Sequence, residues 1–131
     1  MTLPAEIGGR QAQIDYDGRR FRPRPAVAQP PGGPAPADGA DTAIGHYHQD
    51  GDLVWAQFSG SGVRAGWLVG TCRHDGVIDA TYCLVTGDGE ATAGCCQSTP
   101  TLLADGRVRL TERWRRLDGS AGVSQIEEIA G

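Results

Sequence analysis

The sequence predicts an all-β protein, a single antiparallel up-and-down barrel of about eight to nine strands. Three observations point there. Seven Asp-Gly dipeptides punctuate the 131-residue chain, at Asp17, Asp38, Asp50, Asp75, Asp88, Asp105 and Asp118. Asp-Gly is a favoured pair for a two-residue hairpin turn, whose central residues take positive φ. Between six of these dipeptides the chain alternates apolar and polar residues, the period of a half-buried strand. No stretch makes a convincing helix. A meander of this kind packs as a sandwich or closes on itself, and about eight strands enclose just enough room for side chains or one small ligand. The expected architecture is therefore lipocalin- or calycin-like.

The elements follow in order. Residues 1–22 read as an N-terminal arm, with a short hairpin of 11–16 and 19–22 around Asp17-Gly18. Six of the eight prolines fall between Pro23 and Pro36, amid Ala, Gly and Gln, so residues 23–41 read as a linker. Residues 42–131 form the meander that closes into the barrel, with strands expected at 42–49, 52–59, 62–74, 77–87, 90–104, 107–117 and 120–130. One or both N-terminal strands can complete the sheet. Pro100 should bend or bulge the strand that holds it.

Two-residue turns also dictate which side chains share a face. A turn at Asp50-Gly51 sets Tyr47 beside Val54, and one at Gly60-Ser61 sets Val54 beside Trp67. Turns at Asp75 and Asp88 then pair Val69 with Tyr82 and Tyr82 with Cys95. Those at Asp105 and Asp118 pair Thr99 with Glu112 and Glu112 with Gln125. One apolar face results, carrying Tyr47, Phe58, Trp67, Tyr82, Leu110 and Trp114 among others, with His46, His48, most arginines, Trp55 and Leu68 on the opposite face. A three-residue loop with a G1 bulge also accepts Asp-Gly, and each such loop reverses the parity of the strands beyond it. Cys96 and Ser98 would then replace Cys95, Gln97 and Thr99 inside.

Bulk properties narrow the partners. The net charge of −4 and pI near 5.2 argue against nucleic acid or an anionic membrane. All twelve basic residues are arginine. Met1–Arg10 has neither a basic n-region nor an apolar h-region, so the expected location is the cytoplasm. Cys72, Cys83, Cys95 and Cys96 lack C-x-x-C spacing and read as free thiols.

Glu112 and Glu127 are the sharpest chemical candidates. In the register above both face inward, diagonal across neighbouring strands with Gln125 and Gln97 nearby. Two carboxyls so placed in an apolar interior do not both ionise easily, which is how enzymes obtain an acid and a base. Tyr82, Tyr47, Cys95 and Thr99 would supply donors around them. Trp67, Trp114, Phe58 and Tyr47 stand beside small residues such as Ala56, Ala80 and Gly45, the make-up of a ligand-binding wall. His46 and His48, and likewise Cys72 and His74, have metal-ligand spacing, but both pairs face outward as solvated strand positions, and no metal is expected. Arg107, Arg109, Arg113 and Arg115 make an outward stripe that pairs with carboxylates on adjacent strands. No P-loop, dinucleotide fingerprint or haem motif is present, so no cofactor is implied.

Gly45-His46-Tyr47-His48-Gln49-Asp50-Gly51, Cys96-Gln97-Ser98-Thr99-Pro100, Leu102-Leu103-Ala104-Asp105-Gly106-Arg107 and Ile126-Glu127-Glu128-Ile129 carry a resemblance. Over roughly residues 14–130 the chain resembles small actinobacterial and Bacteroidetes proteins often labelled "N-acetylglutamate synthase". That label implies an acetyl-CoA-dependent fold with a Gly-rich phosphate loop running into a helix. Neither is present here, and no catalytic residue carries over. The functional expectation is a small-molecule-binding barrel acting as a cofactor-independent isomerase, cyclase or dehydratase through Glu112, Glu127 and Tyr82. A non-catalytic carrier is the alternative. An exterior apolar patch around Trp55 and Leu68 leaves room for a homodimer.

Overall fold

The computed structural model describes residues 14–24, 43–60 and 62–130, and these build a closed barrel. Eight strands run in chain order: β1 (Arg20–Pro23), β2 (Ile44–Asp50), β3 (Leu53–Gly60), β4 (Val63–Cys72), β5 (Ile78–Thr86), β6 (Ala91–Leu102), β7 (Val108–Arg116) and β8 (Ala121–Glu128). Each pairs antiparallel with the next, and β1 pairs with β8 to close the ring. Arg20–Pro23 is thus the N-terminal strand that completes the sheet, and Pro23 is its last residue. Residues 14–16 form no strand, while 11–13 and the Pro-rich segment from 25 to 42 lie outside the described residues, as does Asp38-Gly39.

The turns differ from the expectation in one consistent way. At Asp75, Asp88, Asp105 and Asp118 the same geometry repeats. The Gly N–H bonds the carbonyl three residues back, and that same earlier residue donates its N–H to the carbonyl following the Gly. Only the glycines have positive φ among the described residues; the aspartates do not. These are three-residue loops with a G1 bulge, not two-residue type I′ turns. Aspartate is chosen because its Oδ1 accepts the N–H two residues on, from Val77, Glu90, Arg107 and Ser120 at 2.8–3.1 Å. Glycine is chosen for the left-handed residue. At the first tip the turn is Gly51-Asp52, with Asp50 opposite Leu53 and positive φ at Gly51 alone.

Parity follows from this. The β2–β3 turn keeps the expected faces. Register shifts at Phe58/Gly60 and Val63/Ala65 reverse β4. Each G1 loop then reverses the next strand relative to expectation, so the differences cancel on alternate strands. β5 and β7 face as expected, whereas β4, β6 and β8 are turned over. Leu68 is inside at 3% exposure and Trp67 outside at 51%. Pro100 causes no register shift; it lies beyond Ser98, where β5 has ended and β6 has only β7 beside it.

The core fills one half of the barrel, the end bearing the tips at 50–53, 73–77 and 103–107. Phe21, Val54, Ile78, Val108 and Leu110 are all but inaccessible there. Tyr16 plugs this end. Its hydroxyl donates to the Gly76 carbonyl at 2.6 Å, and its ring packs on Phe21 and Tyr47. Glu128 ties the plug to the wall, accepting Arg19 at 2.7 Å and the Val108 N–H at 3.0 Å.

Candidate functional site

The other half is built differently. Phe58 lies across Gly45 and Gly66, where a Cβ would meet its ring at 3.0 and 3.1 Å. Trp114 lies across Gly122, where a Cβ would stand 2.5 Å from the indole. Large rings laid over glycines keep the wall thin. Phe58, Tyr82, Leu84, Thr92 and Trp114 face inward from their strands yet remain partly accessible, so this half is open to the solvent at its mouth. β1 is short, and Ser124, inward-facing on β8 beyond the reach of β1, is exposed.

The floor of this cup is polar. Glu112, on β7 opposite Ser98 of β6, points inward and its carboxyl is enclosed by the staves, although the residue as a whole is only partly buried. Its Oε2 accepts the Ser98 hydroxyl at 3.1 Å. Loss of water pushes its pKa up from 4.5 to about 7, with the Ser98 hydrogen bond opposing the rise. The Tyr47 ring leans over Gly45, toward the open half. Its hydroxyl is buried and finds no hydrogen-bond partner among the described residues. Burial and the nearby Glu112 carboxyl both hold the Tyr47 phenol well above its usual range. Cys96, next to Ser98 on the same face, is pushed up to about 12, by burial first and Glu112 second. A buried hydroxyl with nothing to bond is costly, and an acceptor or donor arriving from the cup would relieve it.

Of the residues expected to form a site, Tyr47, Phe58, Tyr82, Glu112 and Trp114 meet inside. The other six do not. Trp67 is on the outer face of β4. Cys95 is exposed, Gln97 donates to Asp79 at 3.1 Å, and Thr99 pairs with Thr111 outside. Gln125 donates to the Thr111 hydroxyl at 3.2 Å. Glu127 sits on the outer face, held by Arg109 at 2.9 Å and Arg24 at 3.3 Å. The expected Glu112–Glu127 dyad therefore does not form: the G1 loop at Asp118 turns β8 over and places the carboxylates on opposite faces of the sheet. The sequence reading did not single out Tyr16, and it placed Ser98 and Cys96 inside only under the bulged-turn alternative.

A surface hollow of about 510 Å³ lies elsewhere, on the outer side of β2–β4 beside His46, His48, Arg64 and Trp67. It is shallow and carries none of the unpartnered buried polar atoms, so the cup is the better candidate. His46 is exposed and His48 stacks on Trp55 at 5.5 Å, as solvated strand residues do. Among the described residues no cluster of three His, Cys, Asp or Glu side chains is placed to hold a metal.

A family model of avidin-like proteins matches residues 14–129, spanning all eight strands. The chain belongs to the avidin-like family. This avidin-like barrel is thus a calycin-type, small-molecule-binding fold, the architecture expected from the turns. No curated protein and no solved structure matched the chain. None of these comparisons bears on the N-acetylglutamate synthase label.

Proposed function

We propose that this protein binds and holds one small organic ligand in the open half of the barrel. The aromatic rings of Phe58, Tyr82 and Trp114 grip its apolar part, and the floor of Tyr47, Ser98 and Glu112 receives its polar group. The observation that carries this reading is the floor itself, an unpartnered Tyr47 hydroxyl near an enclosed Glu112 carboxyl. Near neutral pH Glu112 is divided between acid and carboxylate, so it can either donate to a ligand carbonyl or accept from a ligand N–H. The family makes biotin the first probe, followed by a library of small cyclic amides and ureas. Calorimetric titration should find a ligand whose affinity falls about tenfold or more in Tyr47→Phe and Glu112→Gln, the worth of a buried hydrogen bond with a charged or desolvated partner. A ligand that binds both variants as tightly as the parent, or that perturbs only the outer hollow by NMR, would remove the proposal.

A second reading rests on the pKa of Glu112. A lone carboxyl poised at about 7 is suited to moving a proton, as an isomerase or cyclase requires. With Glu127 outside, Tyr82 or Tyr47 would have to serve as its partner. Mass spectrometry and NMR of a ligand recovered after prolonged incubation separate the two readings: an unchanged ligand means a carrier, and a rearranged one lost in Glu112→Gln means an enzyme.

A further inference from the structure

Six Asp-Gly pairs fall within the described residues, and five of them are tied down in the same two places. In each, the Gly N–H donates to a main-chain carbonyl. Gly18 reaches Tyr47, Gly76 reaches Arg73, Gly89 reaches Thr86, Gly106 reaches Leu103 and Gly119 reaches Arg116, all at 2.9–3.0 Å. The aspartate is held as well. Asp17 Oδ1 accepts the Gln49 N–H at 3.0 Å, and Asp75, Asp88, Asp105 and Asp118 accept the N–H two residues on. Thr86, Arg107 and Ser120 add side-chain bonds to Asp88, Asp105 and Asp118, which hold those three carboxyls below the usual carboxylate range.

Asp50-Gly51 has neither tie. Asp50 and Leu53 face each other across the two-residue turn, and the turn's own hydrogen bonds belong to that pair. Among the described residues the Gly51 N–H has no acceptor, and the Asp50 carboxyl has neither a donor nor an ion-pair partner. The bond made at Gly51 goes to its carbonyl, from Gln49 Nε2 at 2.9 Å. Both residues are exposed.

We infer that Asp50-Gly51 is a modification site, where the chain isomerises spontaneously to isoaspartate while the five tied pairs are held back. The Gly51 nitrogen loses its proton to water and attacks Cγ of the protonated Asp50 carboxyl. The Cγ–OH bond breaks, water leaves, and a cyclic imide results. A second water adds at the main-chain carbonyl of the ring and breaks the bond between Asp50 C and Gly51 N, so the chain now runs through Cβ and Cγ. One water departs and one enters, so no co-reactant is needed. Glycine suits the step because no Cβ crowds its nitrogen. In the tied pairs the same attack must first break the Gly N–H bond and free the carboxyl, and an ionised carboxylate does not release water.

The consequence falls on the Tyr16 plug. Gln49, the residue before Asp50, holds that segment through two bonds: its Oε1 accepts the Tyr16 N–H at 2.8 Å, and its N–H donates to Asp17. An extra methylene in the main chain at Asp50 displaces Gln49 relative to Gly51 and loosens the plug.

The test uses the full chain, incubated for weeks at neutral pH in heavy-oxygen water. Each passage through the imide leaves a heavy oxygen on the residue, which peptide mass spectrometry locates. Asp50 should take up label about tenfold faster or more than Asp75, Asp88, Asp105 and Asp118, since each of those must first open two hydrogen bonds. In urea the six pairs should label at similar rates. Asp50→Glu enlarges the ring that must form and should stop labelling there, with the Tyr16 amide exchanging its hydrogen as in the parent. In the isomerised fraction of the parent, separated by chromatography, that amide should exchange about tenfold faster. Uptake at the four G1 loops as fast as at Asp50 in the folded chain overturns the assignment, and so does a ranking that persists in urea. An isomerised fraction whose Tyr16 amide exchanges at the parental rate overturns the link to the plug.

Discussion

The two halves of the barrel use the same staves for opposite purposes. In the half capped by Tyr16, large side chains meet one another: Phe21 packs edge-on against Tyr47 at 5.0 Å, with Val54, Ile78 and Leu110 filling the rest. In the half that opens at the mouth, large rings meet glycines, and Phe58 and Trp114 lie flat against the wall. The first half is a core; the second has aromatic side chains that pack against that core yet stay partly accessible. Polar groups divide along the same line. Tyr16 and Glu128 are satisfied at the closed end, whereas the Tyr47 hydroxyl and Arg116 Nε have no partners among the described residues. A strand meander with its core at one end is therefore stable enough to leave the other end unfinished, and that end is available for a ligand.

The largest expected effect tests this division directly. Phe21→Ala or Ile78→Ala should cost about 3–5 kcal/mol of unfolding free energy by denaturant titration, since each leaves a cavity in packed surroundings. Phe58→Ala should cost less than half of that, because its ring is already partly accessible. Equal losses would mean that the two halves share one core.

Next in size is the pH dependence carried by Glu112. Its carboxyl is raised in the folded protein, so the stabilisation is complete below the unfolded value of 4.5 and is lost as pH rises through about 7. Glu112→Gln should therefore gain on the parent by up to about 3 kcal/mol between pH 5 and pH 8, followed by urea unfolding at each pH. A gap that stays constant across that range would mean that water already fills the cup and solvates the carboxylate.

Gly122→Ala should cost about 2 kcal/mol, because the new methyl must displace the Trp114 ring. The near-ultraviolet circular dichroism of that indole should change with it, and ligand affinity should fall in step. Smallest of all is Glu127→Gln. Its partners Arg109 and Arg24 lie on the outer face, so the change should stay below about 1 kcal/mol and leave ligand affinity intact. A loss of binding in Glu127→Gln would restore the carboxylate pair to the site and refute the register of β8.

How far the sequence reached is clearest strand by strand. Alternation and the Asp-Gly tips were enough to set the number of main strands, their order, their antiparallel pairing and the inward faces of β2, β3, β5 and β7. Tyr47, Phe58, Tyr82, Glu112 and Trp114 were legible for that reason. The faces of β6 and β8 were not, because a two-residue turn and a G1 loop use the same dipeptide and differ by a single residue of register, and the face of β4 was not, because the register slips beside Gly60 and Val63 without an Asp-Gly signal. On β4 local pattern could not break the tie, for Ala65-Trp67-Val69 and Gly66-Leu68-Gly70 both read as apolar. Only the assembled barrel decides. Phe58 from β3 and Leu84 from β5 crowd position 66, and the β5 backbone at Asp79 and Ala80 crowds position 70, so both inward positions are glycine and the bulk of Trp67 turns out. Likewise Arg116 comes to lie over Trp114 and near Tyr82 only once β5, β6 and β7 stand side by side, with Gly94 between Tyr82 and Arg116. Strand identity is a local property of alternating side chains, whereas which face turns inward depends on volume shared among all the staves.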